Sequence, residues 1–202
     1  MHTAMVFVVL AWLSARGLAH AQMAATPLVY AQIGHTVLRG DRTYQMPGFG
    51  IGYRRQARSW AIDTALQLQI KRAGGVAPNR DAFAASARVQ ALRLLNPRGT
   101  TSPYLGGGVS YGGSSFGGGL TGGPEGRPSF QTEWGGRGGQ IHLTVGYERA
   151  RFARWRWFVQ AEGALPLYQV TSETRAVLSD STVIAHRYAP SAVVSVGIGW
   201  QP

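Results

Sequence analysis

The sequence predicts an all-β fold, an antiparallel up-and-down barrel of eight strands. Eight segments alternate apolar residues with polar or small ones, and this period of two is that of a β-strand. From the second connection onward, the links between segments alternate between short and long. Six aromatic residues share one face and lie where segments meet the short connections or the C-terminus. These patterns indicate a closed sheet whose two ends differ.

The composition limits the classes of protein that fit. The chain has 202 residues, of which 28 are glycine, 14% are charged and 45% are hydrophobic, yet almost no apolar run is long. A chain of this length forms one domain, or two small ones at most. The formal charge is +11, and Lys71 is the single lysine. Because cysteine is absent, disulfide scaffolds, cysteine-based zinc sites and thiol nucleophiles are excluded.

Residues 1–21 are predicted to be a secretory signal peptide, and residues 22–202 the barrel domain. Residues 4–13 have the length of a signal-peptide apolar core and are too short to cross a bilayer as a helix. Ala19-His20-Ala21 is a small-x-small cleavage site that places the mature start at Gln22. A buried N-terminal strand is the alternative. Export of a chain without cysteine fits the bacterial envelope.

The first four predicted strands are residues 28–38, 46–53, 59–71 and 83–92. The third is the clearest, because the alternate residues from Trp60 to Ile70 form one mainly apolar face. Its other face runs from Ala61 to Lys71 and is mostly polar. The apolar sets of the other three are Val29, Ala31, Ile33 and Val37; Phe49, Ile51 and Tyr53; and Phe83, Ala85, Ala87, Val89 and Ala91.

The last four predicted strands are residues 103–112, 140–148, 155–165 and 191–200. Their apolar sets alternate with residues such as Gly106, Thr144, Gln160 and Ser195. The apolar sets are Leu105, Val109 and Tyr111; Ile141, Leu143, Val145 and Tyr147; Trp155, Trp157, Val159 and Ala161; and Ala192, Val194, Val196, Ile198 and Trp200.

The lengths and the aromatic residues predict that the barrel crosses a membrane. Segments of about ten residues match tilted membrane-crossing strands, and short periplasmic turns with longer outer loops match the connections. Amphipathic rings concentrate at the membrane–water interface. The predicted aromatic girdle is Tyr53, Trp60, Tyr147, Trp155, Trp157 and Trp200. The predicted long outer loops include residues 113–139 and 168–187, and the glycine-rich segment 117–123 of the first is expected to be a mobile external loop.

Residues 22–202 resemble the small eight-stranded outer-membrane barrels of bacteria, such as the OmpA barrel domain and the OmpX-like and OmpW-like proteins. The resemblance includes Pro103-Tyr-Leu-Gly-Gly-Gly-Val109 and the last strand, where Val194, Val196, Ile198 and Trp200 alternate. It implies an outer-membrane location and recognition of the last strand by the barrel-assembly machinery. Here Gln201-Pro202 follows the terminal aromatic, which departs from the family pattern.

The polar face is predicted to fill the lumen, since eight strands enclose just enough room for side chains. The predicted polar network is Asp63, Lys71, Arg88, His142, Glu148 and Glu162. Buried charges must be paired, so we expect an internal plug and a structural or surface-interaction role. Inward glycines leave a narrow channel for small or amphipathic solutes as the alternative.

Two further hypotheses have less support in the sequence. Lipid A deacylases that resemble this chain use a His and a Ser two residues apart, but here His142 and Thr144 point inward with Glu148 on the same strand. We therefore expect no enzymatic activity and no cofactor or metal. A soluble lipocalin-like barrel would carry its apolar faces inside and bind a lipid.

The positions of the arginines predict which partners the chain binds. Two short turns are basic: Arg54, Arg55 and Arg58 lie in one, and Arg149, Arg151 and Arg154 lie in another. These arginines are expected either to meet lipid headgroups or to form solvated basic turns, and export argues against nucleic acid as a partner. On the loop side, six arginines are expected to contact lipopolysaccharide phosphates: Arg39, Arg42, Arg72, Arg80, Arg137 and Arg187. The expected assembly is a monomer surrounded by outer-membrane lipids.

Overall fold

A computed structural model describes residues 26–40, 43–71, 81–122, 128–151, 153–176 and 182–202. The predicted signal peptide lies outside these residues. The regular elements described are ten strands: β1(Thr26–Arg39), β2(Thr43–Ala57), β3(Trp60–Lys71), β4(Ala82–Leu94), β5(Thr101–Gly122), β6(Pro128–Arg149), β7(Trp155–Pro166), β8(Val170–Ala176), β9(Thr182–Arg187) and β10(Ser191–Trp200). None of the described residues belongs to a helix long and apolar enough to cross a membrane.

Eight of the ten strands close into an antiparallel barrel. Strands β1 to β7 pair in sequence, and β10 pairs with both β7 and β1. This closure confirms the predicted fold class. A path across successive paired residues that starts at Val37 on β1 and passes through β10 returns to β1 at Pro27, ten residues away. This stagger tilts the strands against the barrel axis.

Two predicted loops contain strand instead. The predicted loop 113–139 is largely a continuation of β5 and β6, which pair as far as Gly122 and Pro128. The predicted loop 168–187 contains the hairpin of β8 and β9. The expectation of a mobile loop at 117–123 is therefore wrong up to Gly122, where β5 ends. Glycine shows no alternation of side chains, but its backbone N–H and C=O groups pair like any other.

The two faces of the barrel wall differ in polarity. Apolar side chains point outward and are exposed, as in Ile33 (71%), Leu143 (71%) and Val145 (60%). Polar side chains such as Gln32, Gln90 and Thr144 point inward and are buried. Burial of polar groups inside an apolar exterior is the reverse of a soluble barrel. The lipocalin-like alternative, which needs the apolar faces inside, is thereby contradicted.

Candidate functional site

The lumen contains most of the predicted polar network. Asp63, Arg88, His142, Glu148 and Glu162 all point inward and are at most 8% exposed. They come from β3, β4, β6 and β7, where inward positions alternate with outward ones. Lys71 differs, because it lies partly exposed at the end of β3, and none of the lumen ion pairs among the described residues includes it.

Charged side chains form one alternating chain across the lumen. Glu148 accepts from Arg156 at 3.4 Å and from Arg54 Nη1 at 2.9 Å. The Nε atom of Arg54 lies 2.8 Å from Asp63 Oδ2, and Asp63 Oδ1 lies 3.3 Å from Arg88 Nη2. The chain continues from Arg88 to Glu162. Three guanidinium groups and three carboxylates thus balance, which is what burial of charge requires.

Neutral side chains complete the bonding of the central carboxylate. Tyr30 Oη donates to Asp63 Oδ1 at 3.0 Å, and Gln90 Nε2 donates to the same atom at 3.1 Å. Thr144 Oγ1 in turn donates to Gln90 Oε1 at 2.7 Å. Hydrogen bonds to a buried carboxylate replace those it would make with water, so the network is held in one geometry.

Arg54 and Arg156 were not among the predicted network residues. The sequence interpretation placed Arg54 in a short turn, but β2 continues to Ala57 and keeps Arg54 on the inward face, 1% exposed. The alternation along β2 could have identified Arg54 as inward. Gly48, Gly50 and Gly52 are inward, and Arg54 is the next residue in the same alternation. The same alternation on β7 places Arg156 inward, 3% exposed.

Three aromatic rings surround the Arg54 guanidinium. Its Cζ atom lies 5.6 Å from the ring centroid of Tyr30, 5.0 Å from that of Tyr104 and 4.9 Å from that of Phe158. Ring faces attract cations, and the attraction grows as water is removed. We call these three rings the aromatic cage. The cage stabilises the Arg54 cation by cation–π contacts, in addition to its ion pairs with Asp63 and Glu148.

Inward glycines hold the rings of the cage in place. Each ring residue is paired directly across its strand with a glycine: Tyr30 with Gly52, Tyr104 with Gly146 and Phe158 with Gly197. A Cβ atom on any of these glycines would collide with the partner ring. Glycine in a strand therefore serves here to let a large side chain lie over the backbone. The space beside these three glycines is filled by the three rings.

The lumen is covered on the loop side by an apolar cluster. Phe116 and Trp134 stack with centroids 6.4 Å apart, and Tyr44 contacts Phe116 at 4.9 Å. The buried members of this cluster, which we call the apolar cap, are Leu38, Tyr44, Met46, Ala82, Phe116, Trp134, Val170 and Ala189. Between the cap and the network, the described residues enclose a cavity of about 30 Å³ lined by groups such as Thr36, Ser110 and Gln140. This volume suits water and not a solute.

Arg151 joins two turns at the other end of the barrel. Its Nη1 atom donates to the carbonyl oxygens of Asn96 at 2.8 Å and Gly99 at 3.2 Å. Burial lowers the pKa of the Arg151 guanidinium, while the nearby Glu148 carboxylate acts in the opposite direction. The side chain is 1% exposed, so a solvated basic turn does not describe this residue.

The residues considered for lipid A chemistry, His142, Thr144 and Glu148, lie within the lumen network. Thr144 donates to Gln90, and Glu148 accepts from both Arg54 and Arg156. His142 is 1% exposed, with its Nδ1 atom 3.9 Å from Glu162. All three side chains point into the lumen, away from the lipid that such an enzyme would have to reach. Among the described residues, no group of three or more His, Asp or Glu side chains has the arrangement of a metal site.

The six predicted girdle residues lie near the short-turn end and point outward. Trp200 is directly opposite Trp155 across β10 and β7, and Tyr147 contacts Trp157 with centroids 6.5 Å apart. Tyr53, Trp60, Trp155 and Trp157 are between 39% and 58% exposed. Exposed rings in one belt beside an apolar wall have the arrangement found at membrane interfaces.

Comparisons with solved structures identify the fold. The Neisserial surface protein A matches with a TM-score of 0.60 at 14% identity, over 87% of this chain and 97% of that one. A major outer membrane protein of Thermus thermophilus matches with 0.56 at 10% identity, over 89% and 100%. Ail, the attachment invasion locus protein of Yersinia pestis, matches with 0.52 at 11% identity, over 89% and 100%.

No protein-family model matches the sequence, and no curated protein matches it either. The structural likeness shows the fold. This chain has the closed eight-stranded barrel fold of these outer-membrane proteins, which confirms the fold that the resemblance implied.

Proposed function

We propose that this outer-membrane-type barrel is inserted in the bacterial outer membrane and acts through its exposed surface, with a lumen that passes no solute. The observation that carries the proposal is that a buried ion-pair network crosses the lumen and a buried apolar cap lies on its loop side. A barrel of eight strands has room for such a filling and little else. The apolar outer wall and the aromatic girdle support the membrane location.

A sheet beyond the barrel supplies the surface. Strands β5 and β6 have 22 residues each, whereas about 9–11 residues suffice to cross a bilayer. Their outer parts pair with each other, β6 pairs with β8, and β8 pairs with β9. The resulting order, β5-β6-β8-β9, gives a hydrogen-bonded platform instead of loose loops. Two of the structural neighbours carry names that fit such a role, a surface protein and an attachment protein.

Lipopolysaccharide is the proposed lipid partner on this side. Arg39 and Arg137 are exposed there, and Arg187 lies over the Trp134 ring at 4.5 Å. Arg42, Arg72 and Arg80 lie outside the described residues. A guanidinium binds phosphate through two parallel hydrogen bonds. Assembly by the barrel-assembly machinery and a monomeric state complete the proposal.

We expect no single-channel conductance when the purified protein is inserted in a planar bilayer. The reason is that an ion would have to pass both the charge-balanced network and the apolar cap. A sixteen-stranded general porin recorded in the same bilayer serves as the control for sensitivity. Regular conductance steps from the unmodified protein would favour the narrow-channel alternative instead.

A cysteine placed on β9 is expected to react on intact cells. The chain contains no cysteine, so Val183→Cys introduces a single thiol at a side chain that is 52% exposed. A membrane-impermeant maleimide should label it without permeabilisation. The matched variant Ala153→Cys, in the short turn after β6, should react only after the outer membrane is opened. If only Ala153→Cys were labelled on intact cells, the barrel would have the opposite orientation to the one proposed.

A further inference from the structure

The short-turn end of the barrel carries an uncompensated positive charge. Its exposed arginines are Arg55, Arg58, Arg93, Arg98, Arg149 and Arg154. In the described part of this end, the acidic side chains are Asp63 and Glu148, and both are fully buried in the lumen network. Six guanidinium groups thus face outward, and none of the described acidic side chains lies at the same surface. Such a rim favours an anionic partner.

Three of these arginines lie over girdle tryptophans. Arg93 lies 5.5 Å from the ring centroid of Trp60, and Arg149 lies 5.8 Å from that of Trp157. Arg154 lies 5.6 Å from the centroid of Trp200. Interfacial tryptophans sit at the level of lipid headgroups. The rings therefore hold these cations at the depth where phospholipid phosphates lie.

An apolar groove runs along the outer wall on one side of this rim. It has a volume of about 460 Å³ and is lined by Val29, Ile51, Tyr53, Leu66 and Val89, with the smaller Thr64 and Ala87 between them. The volume falls in the range of about 300–1,000 Å³ that is usual for ligand sites. Since the wall faces lipid, a hydrocarbon chain is the ligand that matches both its lining and its surroundings.

Strand register places the groove next to two of the arginines. Tyr53, at the edge of the groove, pairs with Thr64, and Thr64 pairs with Val89. Arg55 is the next outward residue after Tyr53 on β2, toward the turn. On β4, Arg93 is paired with Trp60 and lies on the same side of the groove. Cationic groups and apolar groove thus follow one another along the membrane normal, as phosphate and acyl chain do in a phospholipid.

We propose that the outer wall of β2, β3 and β4 binds one anionic phospholipid of the inner leaflet. Arg55 and Arg93 hold its phosphate, and an acyl chain occupies the groove bordered by Leu66 and Val89. A guanidinium fork matches the phosphate oxygens. The absence of acidic side chains at the described surface of this rim selects a headgroup with net negative charge over a zwitterionic one. This inference rests on the proposed membrane location and adds the class of lipid and its site.

The test measures lipid retention by native mass spectrometry of the full chain in micelles of zwitterionic detergent. Phosphatidylglycerol and phosphatidylcholine are offered at equal concentration. We expect retention of one phosphatidylglycerol per barrel, reduced at least about tenfold in Arg55→Gln/Arg93→Gln, because two charge-assisted contacts are lost. The matched control Arg149→Gln/Arg154→Gln removes the same charge and two tryptophan contacts from the opposite wall. It should retain the lipid as the unmodified chain does.

A groove variant separates lipid from free phosphate. Ala87→Phe places a ring in the groove and leaves every arginine in place, so it should also lose the retained lipid. Retention unaffected by Ala87→Phe, or displacement of the lipid by inorganic phosphate, would overturn the groove as the acyl site. If both double variants lost the lipid equally, or if phosphatidylcholine were retained equally well, the specific site would be overturned. Lipid would then bind through the overall positive charge of the rim.

Heat-modifiable migration in SDS distinguishes failure of the lipid site from failure of the proposed membrane location. Each variant is run on an SDS gel before and after boiling. A folded membrane barrel migrates at one position before boiling and at another after it. A variant that shows both positions yet loses lipid reports on the site alone. Failure of the unmodified chain to show the folded position, with the protein in the soluble fraction, would contradict the membrane location itself.

Discussion

Replacing Arg54 with methionine is expected to lower the free energy of unfolding by about 3–5 kcal/mol, because it leaves two buried carboxylates without their shared cation. Asp63 and Glu148 each lie within 2.9 Å of Arg54 and are fully buried. Methionine keeps only the apolar stem of the arginine, so the contacts of the guanidinium with the aromatic cage are lost together with its charge. Urea unfolding in zwitterionic micelles, followed by tryptophan fluorescence, measures the effect.

Two variants test whether charge balance is the cause. Arg55→Met changes the neighbouring, exposed arginine and should shift stability by no more than about 0.5 kcal/mol. Arg54→Met/Glu148→Gln removes one charge of each sign, so the remaining network of Arg88, Arg156, Asp63 and Glu162 is again neutral. It should recover more than half of the loss. A double variant as unstable as Arg54→Met would show that the cage, and not the charge balance, determines the stability.

The fold was predictable because every barrel strand has two different faces. Residues such as Ile62 and Asp63 alternate between the outer face and the lumen, so the sequence carries the period directly. Which face is inside followed from the aromatic residues, since Trp60 and Trp155 needed a common rim. The lumen residues Asp63 and Glu148 were then identified by parity, and the structure places them in one ion-pair chain.

The sequence did not reveal the sheet beyond the barrel or the central cation. The pairing of Gly113 with Arg137 and of Gly117 with Glu133 uses backbone groups only, and glycine leaves no alternating pattern to detect. Arg54 was missed for a different reason, because Arg54 and Arg55 are adjacent and look like one basic turn. Only the pairing of Arg54 with Asp63 across β2 and β3 shows that the strand continues. Strand ends are set by such pairings, which a single sequence does not contain.

The glycines opposite the cage give the second large effect. Gly146→Ala is expected to destabilise the barrel by about 1–3 kcal/mol, because the added Cβ atom overlaps the Tyr104 ring and the core must shift. Gly163→Ala is the matched control, since it lies on a neighbouring strand, faces outward and has no atom within 4 Å of the added group. That variant should unfold within about 0.5 kcal/mol of the unmodified chain. Equal effects at the two positions would point to backbone preference and not to the ring.

A double-mutant cycle decides whether the glycine acts through the ring. If Gly146 exists to seat Tyr104, then Gly146→Ala should cost far less in a Tyr104→Leu background, with a coupling of about 1 kcal/mol or more. Tyr104→Leu itself removes the hydrogen bond to Gln160 Oε1 (3.1 Å) and one wall of the cage around Arg54. The cycle therefore separates the space a glycine provides from the contacts the ring makes. Strong coupling would mean that Gly146 stabilises the barrel by leaving room for the Tyr104 ring, which is one wall of the cage around Arg54.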